Sequence, residues 1–133
     1  RVLNLCSGTC SVSKPFVKAG HDVVEVDWDP LFSPTHCVDI MAWDCPYEPG
    51  DFDVIWGPQT VRNTAGLGRL QKLTDLDKAD ALVERCLALI NYLNPSIWFL
   101  ENPDSGLLKT RPVVQGLPFV CVDYFMYSAE YRT

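Results

Sequence analysis

Three adjacent stretches decide the fold: Arg1-Val-Leu-Asn-Leu5, Cys6-Ser-Gly-Thr-Cys10 and Asp22-Val-Val-Glu-Val-Asp27. The first is a short apolar run, the second a small-residue turn, the third another apolar run with an acidic tip. Apolar runs of this length bounded by turn residues read as buried strands. Between them, Ser11 to Ala19 reads as a short helix. Ser11 or Ser13 can cap its start, Pro15 suits its first turn and Gly20 suits its stop. Strand, helix and strand in so short a span make a βαβ unit, whose two strands run parallel.

The pattern continues outward. Cys37-Val-Asp39-Ile40 predicts a weak third strand, and Asp51–Trp56 a clear fourth, running into Gly57-Pro58. Gln59–Thr74 has two glycines and little periodicity, which predicts a mobile loop. From Leu76 to Leu93 apolar residues recur near a period of 3.6, with Asp75 placed to cap and Pro95 just beyond the end. Ser96–Leu100 predicts a fifth strand ending at Glu101-Asn102-Pro103. A turn and a short helix lead to a sixth strand over Phe119–Met126, and Tyr131–Thr133 reads as the start of a hairpin return. Strands alternating with helices give an α/β fold with a mainly parallel sheet, here one domain over residues 1–133. Ligands of such sheets bind beyond the carboxyl ends of the strands.

Composition sets the outer limits. The chain has 133 residues, 47% hydrophobic and 21% charged, the profile of a globular protein. No apolar run reaches the ~20 residues of a membrane span, and no signal-peptide pattern is visible. A net charge of −6 exerts no general pull on a phosphate backbone. The six cysteines form no C-x-x-C pair and mostly sit in apolar runs, which predicts free thiols in a reducing, cytoplasmic setting. A zinc site at His36, Cys37 and Cys45 lacks an evident fourth ligand, so no metal is expected.

Four places carry chemical potential, each with a plainer reading beside it. Ser7-Gly8-Thr9 is either a tight turn or a glycine turn that lets a ligand approach backbone amides. Asp27, about 20 residues beyond that turn, is either a surface aspartate or the acceptor of a ribose diol. Trp28 beside it offers a face for a purine. Asp39 is either a loop carboxylate or the acceptor of a purine amine. Glu101-Asn102 is either a capping turn or a base-binding or proton-transfer site. Gly8, Asp27 and Asp39 mark three successive strand tips, the arrangement a nucleoside cofactor across the sheet edge requires.

Leu5-Cys-Ser-Gly-Thr-Cys-Ser-Val-Ser-Lys14, Val24-Glu-Val-Asp-Trp-Asp-Pro30, Val38-Asp-Ile40, Phe52-Asp-Val-Ile-Trp56 and Trp98-Phe-Leu-Glu-Asn-Pro103 occur in this order. The ordered set resembles the S-adenosylmethionine-dependent DNA cytosine-5 methyltransferases, especially small phage and bacterial members. The resemblance implies a Rossmann-like methyltransferase fold, S-adenosylmethionine as cofactor and DNA as partner. It implies that Ser7, Gly8 and Thr9 approach the methionine part, that Asp27 binds the ribose and that Trp28 stacks near the adenine. Asp39 would meet the adenine amine, Ile40 and Gly57 would complete the cofactor site, and Glu101 would hold the target cytosine. The family places a nucleophilic Pro-Cys shortly after the fourth strand, whereas Gly57–Gly66 contains no cysteine. Asn4 stands where many members have aspartate, and Cys10 stands for a glycine. The family's final hairpin strand and target-recognition region have no counterpart here. Three functions are consistent with this: a methyltransferase, a catalytically inactive cofactor-binding or regulatory module, and a nucleotide binder with unrelated chemistry.

Overall fold

A computed structural model of the chain describes residues 1–58, 69–102 and 108–122, the description of 69–75 and 108 being confined to the backbone. The described strands are β1 (Val2–Leu5), β2 (Val23–Asp27), β3 (His36–Cys37), β4 (Val54–Gly57) and β5 (Ile97–Leu100). They form a single sheet in the order β3-β2-β1-β4-β5. Every pairing is parallel, with Leu3 opposite Val24 on one side and Ile55 on the other. The βαβ reading therefore holds, and the strand order reverses direction between β1 and β4.

Two helices cover opposite faces. The helix α1 (Ser13–Lys18) joins β1 to β2, and α2 (Arg69–Leu93) joins β4 to β5. Side chains alternate across a strand. Leu3 and Leu5 of β1 enter the main core with Val24, Val26, Ile55 and the α2 residues Cys86, Leu89, Ile90 and Leu93. Asn4 points to the other face, where its Nδ2 donates to Ser13 Oγ of α1 at 2.8 Å. Phe52, Trp43 and Ile40 close the core beneath the edge strands, and Tyr47 packs edge-on to Phe52 at 4.9 Å.

Several boundaries move. The helix expected over 11–19 spans Ser13–Lys18, and neither serine caps it: the N-cap is Val12, in helical geometry, and Ser13's hydroxyl is engaged by Asn4. Its stop is as expected. Gly20 (φ +87°) donates to Val17 and His21 donates to Phe16, the paired bonds of a Schellman cap. The third strand keeps only His36–Cys37, because Asp39 turns the chain by accepting from the Met41 amide. The long helix begins at Arg69, not after Asp75, since nothing from Arg69 to Thr74 breaks helical geometry. It ends where Asn94 adopts φ +49°. The expected loop at 59–68 lies outside the described residues. Phe119–Val122, expected to open a sixth strand, is irregular and exposed, with no partner strand among the described residues. Residues 123–126 of that strand and the hairpin at 131–133 lie outside the described residues. The expected short helix is two 3-10 turns, Leu108–Thr110 and Pro112–Val114, tied to α2 by Arg111 and Asp80 at 2.5 Å.

Phe52 is 1% exposed and carries the lower end of the core. Phe52→Ala is expected to cost about 3–5 kcal/mol, the range for emptying a packed aromatic site. Val17→Ser on the exposed face of α1 should stay within about 0.5 kcal/mol. Urea denaturation of the two variants checks both values.

Candidate functional site

Because all five strands are parallel, their carboxyl ends emerge along one edge of the sheet. The turn after β1 is the centre of that edge. Cys6, Gly8 and Cys10 adopt φ of +55°, +50° and +59°, so every second residue is left-handed and the chain curls into a cradle. Glycine accepts this conformation freely, whereas a residue with a Cβ pays about 1–2 kcal/mol there. The turn is held by Ser7 N donating to Val26 O at 3.2 Å and Cys10 N donating to Ser7 O at 3.0 Å. On the open side nothing lies within 4 Å of where a Gly8 Cβ would be.

Asp27 binds this turn to the next. It is only 6% exposed. Its Oδ2 accepts from the Gly8 amide at 2.8 Å and its Oδ1 from the Asp29 amide at 2.9 Å. Asp29 in turn accepts from Leu31 N and starts a short 3-10 turn. Trp28, between the two aspartates in the chain, is 71% exposed. Asp39 follows β3; it is exposed, and its Oδ1 accepts from Met41 N at 2.9 Å.

The Cys6 thiol, in the turn after β1, is strongly perturbed. Burial pushes it up to about 12, and the neighbouring Cys86 thiol and the carboxylates of Asp27 and Asp39 add to the rise. One side chain is thus within electrostatic reach of both carboxylates. The strand order sets Gly8, Asp27 and Asp39 just beyond three neighbouring parallel strands, β1, β2 and β3. Sequence reasoning did not single out Cys6, because the influence of both carboxylates on its thiol depends on the order of strands.

The remaining candidates divide. Ser7 is buried, and its Oγ has no hydrogen-bond partner among the described residues. An unsatisfied hydroxyl at the cradle suits a ligand with polar atoms. Thr9 is exposed at the turn's tip. Ile40 is 5% exposed and its side chain belongs to the core, so only its backbone borders the edge. Gly57 is buried, and a Cβ there would run into the Leu100 side chain, so its glycine serves the packing of β4 on β5. Glu101, half-buried, stands one residue beyond β5, across the reversal point from Asp27. At ~4.8 Å per strand, β2 and β5 are roughly 14 Å apart. Pro103 lies outside the described residues.

Cys6, Cys10, Cys37, Cys45 and Cys86 are free thiols. Burial raises the thiols of Cys10 and Cys45 and pushes Cys86 up to about 12, so none of these is an activated thiolate. His36 Nε2 shares a 2.9 Å hydrogen bond with Tyr47 OH. No cluster of metal-ligating side chains occurs among the described residues, and no helix among them is long and apolar enough to cross a membrane.

The fold is an α/β class with a five-stranded, all-parallel sheet, and a glycine turn and a buried carboxylate stand at neighbouring strand tips. No family model matches the chain. It is 34% identical to a "Probable DNA (cytosine-5)-methyltransferase" of Frog virus 3 (isolate Goorha), over 142 aligned residues that cover 96% of this chain. This likeness supports a relationship with the DNA (cytosine-5)-methyltransferases. The chain spans 64% of that relative's length, just under two thirds.

The buried thiols predict an alkaline weakness. An unfolded cysteine ionises near pH 8.5. Cys6 and Cys86, held up to about 12 in the fold, keep their protons there. Between these values the folded state binds more protons than the unfolded one. The stabilisation is therefore complete below about pH 8.5 and is lost as pH rises toward the folded values. Urea unfolding under reducing conditions should show stability falling above about pH 9, by up to ~1.4 kcal/mol per pH unit for each thiol. Cys86→Ala should flatten that slope.

Proposed function

We propose that this chain binds S-adenosylmethionine at the carboxyl edge of the sheet, on a Rossmann-like fold, as the cofactor-binding part of a DNA methyltransferase of the cytosine-5 type. The observation that carries the reading is the Asp27 carboxylate joined to the Gly8 amide, with Asp39 on the adjoining tip. The strand order agrees with that of dinucleotide-binding sheets, whose ligands lie at the reversal point.

The residues fit the cofactor's parts. The open cradle at Gly8 and the unsatisfied Ser7 hydroxyl suit the methionine end, beside Thr9. Asp27 has accepted two amides, and a carboxylate offers about four acceptor sites, which leaves capacity for ribose hydroxyls. Trp28 presents an exposed ring to the adenine, Asp39 a carboxylate to its amine and Ile40 its backbone. Gly57 borders this site through the packing of β4. Glu101, on the far side of the reversal point, is placed to hold a cytosine edge. The bound cofactor supplies the methyl group.

The chain's own residues restrict the route of transfer. Methylation at cytosine C5 requires a thiolate to attack C6 and so make C5 nucleophilic. Residues 57–66 contain no cysteine. Cys6 and Cys10, beside the cradle, are kept protonated by burial. Cys37 ends β3, four strands from β5 and roughly 19 Å from a base held at Glu101. The chain as given therefore binds the cofactor without supplying the adduct-forming thiolate.

Calorimetry with S-adenosylhomocysteine tests the first part. Asp27→Ala should weaken binding by roughly 1–3 kcal/mol, the scale for hydrogen bonds to a charged group. Trp28→Ala should weaken binding while leaving stability within about 0.5 kcal/mol, since the ring is exposed. Equal affinity of all three proteins would remove these residues from the site. Incubation with cofactor and 5-fluorocytosine DNA tests the second part. No covalent complex is expected; a complex abolished by Cys10→Ser would identify a nucleophile at the cradle.

A further inference from the structure

The segment between β3 and β4 has no helix or strand of its own, yet it carries Asp39 to the edge of the site. Backbone bonds around Asp39 are three: Val38 N donates to Asp27 O of β2 at 2.8 Å, Ala42 N to Asp39 O at 3.0 Å and Trp43 N to Ile40 O at 3.4 Å. The first ties the chain to the sheet just before Asp39, and the other two make a local turn after it. That turn is held in addition by α2. Arg85 Nε donates to Ile40 O at 3.1 Å and its NH2 to Trp43 O at 2.6 Å. One planar guanidinium thus holds both ends of the turn that follows Asp39. The base of this arm is rigid, because Cys86, Leu89 and Ile90, on the same helix, are buried against the sheet. The side chains of Ile40 and Trp43 are buried in the same core, so the turn is fixed from both its carbonyls and its side chains.

We infer that Arg85 is a positioning residue for the cofactor site: by clamping the carbonyls of Ile40 and Trp43, it sets where the Asp39 carboxylate stands and thereby the preference of the site for an adenine-type base. This deepens the reading of Asp39 as the partner of the adenine amine and rests on it. The chemistry is specific to arginine. Its donors diverge from one plane and reach two carbonyls at once, whereas a lysine ammonium is a single point donor on a flexible stem. Asp39 is itself exposed, with one oxygen bound to the Met41 amide. Its placement toward a ligand therefore depends on the turn and not on packing around the carboxylate.

The test compares two ligands on three proteins. S-Adenosylhomocysteine presents an amine that donates to a carboxylate; S-inosylhomocysteine presents a carbonyl that does not. The wild-type protein should prefer the adenine form by at least tenfold in calorimetry. Arg85→Met keeps an unbranched apolar stem and removes both donors; its preference should fall below threefold. Arg85→Lys should fall between. A merely structural role would weaken both ligands alike and leave the ratio unchanged, and that result overturns the inference. Hydrogen exchange of the ligand-free proteins gives a second readout. The amides of Met41, Ala42 and Trp43 should exchange at least tenfold faster in both variants while those of β1 do not change; unchanged exchange at the turn overturns the inference. If Arg85→Met fails to fold, Arg85→Lys carries both measurements. Failure of the wild-type protein to bind either ligand overturns the cofactor reading together with this one. Binding without an adenine preference overturns the Asp39 assignment and with it the role of Arg85, while leaving cofactor binding intact.

Discussion

Parallel pairing on both sides of Val2–Leu5 is the constraint on which the rest of the structure depends. A parallel neighbour cannot be reached by a hairpin, so the chain must cross over the sheet each time it adds a strand. One crossover uses α1 and leads outward through β2 and β3; another uses α2 and adds β5 beside β4. The two crossovers cover opposite faces, which is why Leu3 and Leu5 meet α2 while Asn4 meets Ser13. The same constraint gathers every strand tip on one edge. The site is a consequence of how the sheet is wound and not a separate construction.

Within that edge, Asp27 does structural and chemical work together. A buried carboxylate needs partners, since an isolated charge away from water is costly. It finds them in two backbone amides, Gly8 N and Asp29 N, and so ties the turn after β1 to the turn after β2. The turn it holds is strained at Cys6 and Cys10, both left-handed without being glycine. Strain of this kind persists where surrounding bonds over-determine the backbone, and it gathers at ligand-binding turns.

The relationship to DNA (cytosine-5)-methyltransferases and the cysteine chemistry point in different directions. The cofactor side, as proposed, runs from the cradle at Gly8 to the tip at Asp39. The side proposed for the base has Glu101, and residues 57–66 contain no cysteine. The thiols beside the cradle are kept neutral by burial, which favours packing over nucleophilicity.

The sequence by itself determined the elements whose causes are local. Apolar runs marked β1, β2, β4 and β5, the 3.6 period marked most of α2, and Gly20 marked the end of α1. Motif order was enough to place Gly8, Asp27 and Asp39 at strand tips. Strand ends were less legible: Asp39 reads as part of a strand until its side chain is seen to cap its own turn. Tertiary structure alone decided the rest. Ser13 lost its capping role because Asn4, nine residues away, took its hydroxyl. Gly57 proved to be a packing residue only once Leu100 was beside it. Arg85 reached Ile40 across 45 residues of chain, and the thiol of Cys6 came under the influence of the Asp27 and Asp39 carboxylates. Periodicity and turn chemistry act over a few residues and are written in composition. Contacts between distant residues depend on the order in which strands pair, and neither composition nor spacing carries that order.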